Sequence, residues 1–162
     1  MTTDRRSNTV SGESHYGIYK RDKYVLADDA EVTPGELLEV TGAADTPGYF
    51  EVQADTREGE GGPVILAEVR AHPPSGDQSR TPRLDIDYDE PGQKVEAFVP
   101  QSGDVSDNVF LGEDQDVTPG DALERAGDGT FQAVTDGVKV AEANEAVTTG
   151  AGETERIEVM FA

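Results

Sequence analysis

Apolar and polar residues alternate in short runs along most of this chain, and the runs end at proline, glycine or aspartate. Alternation with a period of two puts one set of side chains on each face of a pleated strand. The runs predict strands at residues 16–19, 23–26, 37–41, 49–54, 64–70, 84–88, 94–99, 109–111, 130–134, 138–145 and 155–161. Turn signals separate them at Thr33-Pro34-Gly35, 59–63, Pro91-Gly92, Pro119-Gly120, Asp128-Gly129 and Asp136-Gly137. Pro34 and Pro119 suit a first helical position, but the glycine after each favours a turn. Residues 71–82 hold three prolines and no apolar period, and read as a long loop. Short strands punctuated in this way predict an all-β fold built of small β-barrel or sandwich units.

The pattern occurs twice. Tyr24-Val25-Leu26 through Glu39 aligns without a gap on Val109-Phe110-Leu111 through Glu124, at an offset of 85 positions, and Val-Thr-Pro-Gly is identical in both. After a change of register, residues 64–68 resemble 138–142, and 83–88 resemble 156–161 in apolar pattern. Two related β-modules are therefore expected from an internal repeat. A solenoid needs at least about three repeats. The expected organisation is a flexible N-terminal arm over 1–14, a first module over 15–92 containing the 71–82 loop, and a second over 93–162. The arm has only Met1 and Val10 as apolar residues.

Composition narrows the setting. Acids number 34 against 13 bases, for a formal net charge of −21 over 162 residues. The acids are dispersed, and only four of the bases are lysine. Such a surface repels itself unless salt screens it, and the Debye length falls to about 3 Å at 1 M. A halophilic source is expected. No basic patch is present for nucleic acid. No apolar run approaches the roughly 20 residues of a membrane span, and the N-terminal residues lack the apolar core of a secretory signal. With no cysteine, disulfides and thiolate metal sites are excluded.

Candidate chemistry is sparse. Asp85, Asp87, Asp89 and Glu96 fall at positions 1, 3, 5 and 12 of a calcium-loop spacing, but Glu90 stands where the loop needs glycine. The same run alternates, so the wet face of a strand is the favoured reading and no metal is expected. His15 and His72 have no nucleophile elbow beside them. Gly59-Glu60-Gly61-Gly62 lacks the Lys-Ser/Thr of a phosphate loop and reads as a hairpin connection. No cofactor and no catalytic residue is expected. Arg5-Arg6 is an adjacent basic pair within the expected arm.

From Gln93 onward the order of features resembles the C-terminal half of the head decoration, or cement, proteins of tailed viruses. The elements are a strand at Lys94–Val99, a strand at 109–111, the segment Val117-Thr118-Pro119-Gly120-Asp121-Ala122-Leu123, the turn Gly127-Asp128-Gly129-Thr130-Phe131, an Ala-x-Glu-Ala segment within 141–146, and a closing Arg156-Ile157-Glu158-Val159 strand. The resemblance covers about the last 70 residues and not 1–90. It implies a non-enzymatic virion protein on the outer capsid surface, often a homotrimer, with the major capsid protein as partner. In that setting Arg5 and Arg6 are candidate capsid contacts. The alternative from composition alone is a soluble halophilic β-barrel binding module for a ligand or surface partner.

Overall fold

A computed structural model describes residues 10, 19–70 and 83–162. Twelve strands follow in order: β1 (Tyr19–Leu26), β2 (Leu37–Ala43), β3 (Phe50–Ala54), β4 (Ile65–Ala67), β5 (Lys94–Val99), β6 (Val105–Leu111), β7 (Asp116–Val117), β8 (Ala122–Arg125), β9 (Phe131–Ala133), β10 (Ala141–Ala143), β11 (Val147–Thr148) and β12 (Glu155–Phe161). A single 3-10 turn, Arg83–Asp85, is the only helical element among the described residues.

The strands close two barrels. The first runs β1-β3-β2-β4-β5 and back to β1, and the second runs β6-β9-β8-β10-β12 and back to β6. Substituting β6, β8, β9, β10 and β12 for β1 to β5 turns one order into the other. The pairing sense agrees as well. Leu26 lies beside Val52 in a parallel β1–β3 pair, and Leu111 beside Phe131 in a parallel β6–β9 pair; every other neighbour is antiparallel. Tyr24 pairs with Val95 before a register shift in β1–β5, and Val109 with Ile157 before a matching shift in β6–β12.

The repeated Val-Thr-Pro-Gly has the same conformation in both copies. Gly35 (φ 100°) and Gly120 (φ 95°) occupy the third position of a turn closed by Glu36 N–H to Thr33 O and by Asp121 N–H to Thr118 O, each 3.1 Å. Proline second and a positive-φ glycine third make this a type II turn. Gly35 N–H then donates to Ala67 O and Gly120 N–H to Ala143 O, both at 2.8 Å. Asp29 and Asp114, also 85 apart, share a left-handed backbone.

Equivalent positions fill both interiors. Leu26, Val32, Leu38, Val52, Ala67, Val95 and Ala97 are buried in the first barrel, and Leu111, Val117, Leu123, Phe131, Ala143, Ile157 and Val159 in the second. The outer walls differ. Leu37, Leu66 and Phe98 on the outside of the first barrel are buried in one cluster with the second barrel's interior. Their counterparts Ala122, Glu142 and Met160 are half-buried. Covering each large apolar side chain contributes about 1.5–3 kcal/mol, so the two barrels form one body.

Several expectations are corrected. The module boundary at 92/93 falls in the wrong place, because β5 closes the first barrel. The counterpart of β12 is β5 and not residues 83–88. Residues 84–88 form no strand; the 3-10 turn leads to an isolated bridge from Tyr88 to Val32. Leu38 pairs with Ile65 where Leu123 pairs with Ala141, so β4 matches β10 two residues beyond the expected alignment. A period of two cannot reveal a slip of two. Of the 1–14 arm, Val10 alone is described. It is fully buried, its N–H donates to Glu68 Oε1 at 2.8 Å, and its carbonyl accepts from Asp107 N–H at 3.0 Å.

Candidate interaction surface

The residues singled out from sequence do not assemble into a centre. Asp85 is exposed at the end of the 3-10 turn, 3.6 Å from Arg156 Nη2. Asp87 offers its backbone carbonyl to Arg70 at 3.0 Å, and its side chain hydrogen-bonds Glu31. That bond, with the charges of Asp87 and Asp89, raises the Glu31 carboxyl above its ordinary range. Asp89 is exposed, and the Glu96 N–H donates to Tyr88 Oη at 3.3 Å. Among the described residues no three His, Cys, Asp or Glu side chains converge as metal ligands. Arg5, Arg6, His15, His72 and the 71–82 loop lie outside the described residues. A shallow cavity of about 210 Å³ lies beside β7 and β11, lined by Asp116, Thr118, Thr148, Glu155 and Arg156. It falls below the roughly 300 Å³ at which small-molecule sites begin.

The polar chemistry is concentrated at the seam between the barrels. Arg125 is fully buried. Its Nε donates to Asp55 Oδ2 at 2.9 Å, and its Nη atoms donate to the carbonyls of Glu60 and Pro63 at 2.7 Å. The glycine-rich connection 59–63 therefore wraps a guanidinium rather than a ligand. Asp55 also takes Arg57 at 2.8 Å. Burial alone would raise its carboxyl, but these arginine bonds hold it below its ordinary range. Arg156 ties three segments by donating to the carbonyls of Pro34, Asn108 and Leu84, with its guanidinium 4.2 Å above the Phe110 ring.

Each barrel carries the same polar triad. Gln53 Nε2 and Thr56 Oγ1 donate to Glu39 Oε1, at 2.8 and 2.6 Å. Gln132 Nε2 and Thr135 Oγ1 donate to Glu124 Oε1, at 2.8 and 3.1 Å. The sequence signal is Gln-Ala-x-Thr at 53–56 and 132–135. Its offset is 79, not 85, because six more residues separate Val40 from its partner Val52 than separate Arg125 from its partner Phe131. An ungapped comparison passes over it.

Those six residues build a local departure from the repeat. Arg125 and Phe131, paired, enclose a tight turn in the second barrel. The equivalent pair, Val40 and Val52, is followed by a bulge and then by Gly42 with Glu51 and Ala43 with Phe50. Residues 40–51 thus form a longer ribbon than the second barrel's turn, and its Phe50 and Glu51 still pair with Tyr24 and Val25 of β1. Val40, Ala43 and Phe50 continue the face that Leu38 and Val52 bury inside. β4 pairs with β2 only at Leu37 and Leu38. The same register sets Pro63 opposite Val40, and proline has no N–H to continue the ladder. The β2 edge from 40 to 43 is left without a strand partner among the described residues.

Val40 (44% exposed), Phe50 (45%) and Val138 (55%) are the exposed large hydrophobic residues of the described chain. Val138 sits over Gly61 at the seam. Glu36, beside Gly129 of the second barrel, has a buried Oε2 with no hydrogen-bond partner. Burial, helped by the charges of Asp87, Asp128 and Glu31, pushes its carboxyl up to about 7. No protein-family model matches this chain, and no curated protein matches it.

Proposed function

We propose that this protein is a capsid decoration protein, a non-enzymatic structural component that binds the outside of an icosahedral shell and stabilises it, with the major capsid protein and further copies of itself as partners. The observation that carries the reading is the double barrel with one long ribbon, 40–51, whose β2 edge has no strand partner among the described residues. Such a body is locked by buried Arg125 and a shared core, so it transmits load between neighbours instead of yielding. The ribbon's open edge and apolar face provide a means of attachment by strand addition. The motif order from Gln93 to Phe161 supports the same reading, as does a surface charge suited to molar salt and thus to a virus of a halophilic archaeon.

Immunogold labelling tests it. Antibodies against the folded chain should label the outer surface of intact virions from the culture that produces the protein. Protein confined to the soluble fraction, with unlabelled particles, overturns the reading in favour of a free binding module.

A further inference from the structure

We propose that Glu36 is a proton-operated latch at the seam: it seats the β8–β9 turn of the second barrel on the first barrel while its carboxyl is neutral, and releases the turn when it ionises. The turn is held at its tip. Gly129 N–H donates to Asp55 O at 2.9 Å, and Gly129 O accepts from Leu37 N–H at 2.8 Å. Glu36 lies against this tip, since a Cβ on Gly129 would stand 3.5 Å from Glu36 Cβ and 3.6 Å from its Cδ. The turn thus covers the carboxyl, whose Oε2 is buried with no hydrogen-bond partner. A neutral carboxyl tolerates that place far better than a carboxylate, whose charge needs water or donors.

The repeat shows the same position without a cover. Asp121, 85 positions on, is exposed, and its Oδ2 accepts Thr118 N–H at 2.8 Å to brace its own turn. Glu36 takes the equivalent bond from the Thr33 backbone. It is one methylene longer than aspartate, and only Glu36 is roofed by the other barrel.

The charges acting on the Glu36 carboxyl are acids from both barrels. Glu31 and Asp87, which share a hydrogen bond, belong to first-barrel connections, and Asp128 precedes Gly129 in the turn. Bases on adjoining segments are committed elsewhere: Arg57 and Arg125 to Asp55, Arg70 to Asp87 O, and Arg156 to the carbonyls of Pro34, Asn108 and Leu84. Glu68 turns its carboxylate to the N–H groups of Val10 and Val69. Ionisation of Glu36 adds a fourth negative charge to three. Burial and these acids place the change at about 7, above the unfolded 4.5, so the closed seam is favoured below that pH and weakened as pH rises through it.

The release is local. Parting the barrels would uncover Leu37, Leu66 and Phe98, which the shared core buries. Withdrawing residues 127–129 breaks the two Gly129 hydrogen bonds and admits water to the carboxyl. Arg125, at the foot of the turn, stays anchored on Asp55 and on the carbonyls of Glu60 and Pro63.

Native-state amide hydrogen exchange of the full chain in molar salt, read by NMR, tests the latch. Between pH 5.5 and 8.5 the protection factors of Leu37 and Gly129, corrected for the intrinsic rate, should fall by about tenfold or more. At pH 8.5 their exchange should be insensitive to low urea, as local openings are. The amides of Leu26 and Phe161, bonded to Gln93 O and Asp104 O within the two barrels, should exchange more slowly and speed up with urea. Glu36→Gln should keep Leu37 and Gly129 protected at both pH values. Unchanged protection of these two amides in the wild type overturns the proposal. So does a urea dependence equal to that of Leu26 and Phe161, which marks unfolding of the whole body, or a Glu36→Gln variant that still loses protection at pH 8.5.

Discussion

Glu39 and Glu124 stand at the same point of two barrels, and each accepts a 2.8 Å hydrogen bond from a glutamine on the adjoining strand. Their surroundings differ. Glu124 is buried and also takes the Gly137 N–H at 2.6 Å, while Glu39 is half-buried. Burial would raise both carboxyls, but the hydrogen bonds from Gln, Thr and backbone N–H groups outweigh it and hold both below the ordinary range.

Glu124→Gln should therefore cost more than Glu39→Gln, about 2 kcal/mol against under about 1. Both carboxyls have folded pKa values below the unfolded 4.5. Their contribution is present above pH 4.5 and is lost as pH falls through the folded value. Urea unfolding at pH 7 and again at pH 3 should show the difference at the first pH and a smaller one at the second.

The two turn glycines should respond unequally to alanine. Both have positive φ, which costs a non-glycine residue about 1 kcal/mol. A Cβ on Gly120 meets nothing within 4 Å, whereas one on Gly35 collides with the Asn108 carbonyl and comes within 2.7 Å of Arg156 Nη1. Gly120→Ala should lower stability by about 1 kcal/mol and Gly35→Ala by at least twice that, read from urea midpoints.

The repeat was legible because Val-Thr-Pro-Gly is a turn whose geometry demands those residue types. Strands β5 and β12 were legible because β-branched and aromatic residues alternate over their whole length. β8 was not, since Ala122-Leu123-Glu124-Arg125 buries a glutamate and an arginine that only the seam can satisfy. The 84–88 run misled for a related reason. Leu84 and Tyr88 are both buried, as a strand would have them, but the chain reaches those places through a 3-10 turn. The ribbon's exposed face was invisible too, because Val40 and Phe50 read as ordinary strand residues, and only the fold shows that β4 stops short of Val40.

Glu36 sets a pH dependence of opposite sign. Its folded pKa of about 7 lies above the unfolded 4.5, so the folded chain holds more protons between those values. Stability falls as pH rises through that window, by up to on the order of 3 kcal/mol. Glu36→Gln should stabilise the protein at pH 8 and change it little at pH 4. Urea midpoints at the two pH values decide it.

Arg125→Met should destabilise by about 3 kcal/mol, since it strips the connection 59–63 of its donor and leaves Asp55 to Arg57 alone. Arg125→Lys should recover little, because an ammonium cannot reproduce the fork that spans Asp55 and the carbonyls. Urea unfolding of both variants against the wild type is the measurement.

Salt should matter to the whole body. Dialysis from molar salt to about 0.1 M lengthens the Debye length to about 10 Å and should lower the melting temperature and weaken the β signal in circular dichroism. A spectrum and melting temperature unchanged across that range would remove the case for a halophilic source.

The unequal walls of the two barrels have a consequence for synthesis. The first barrel's residues leave the ribosome before those of the second, and Leu37, Leu66 and Phe98 on its outer wall have no cover until residues 109–161 follow. The N-terminal half is thus a sticky intermediate during translation, whereas the second barrel, with Ala122, Glu142 and Met160 outside, brings its own solubility. The chain is vulnerable to aggregation in the interval between the two halves, so a pause in elongation near residue 100 is where misfolding would begin.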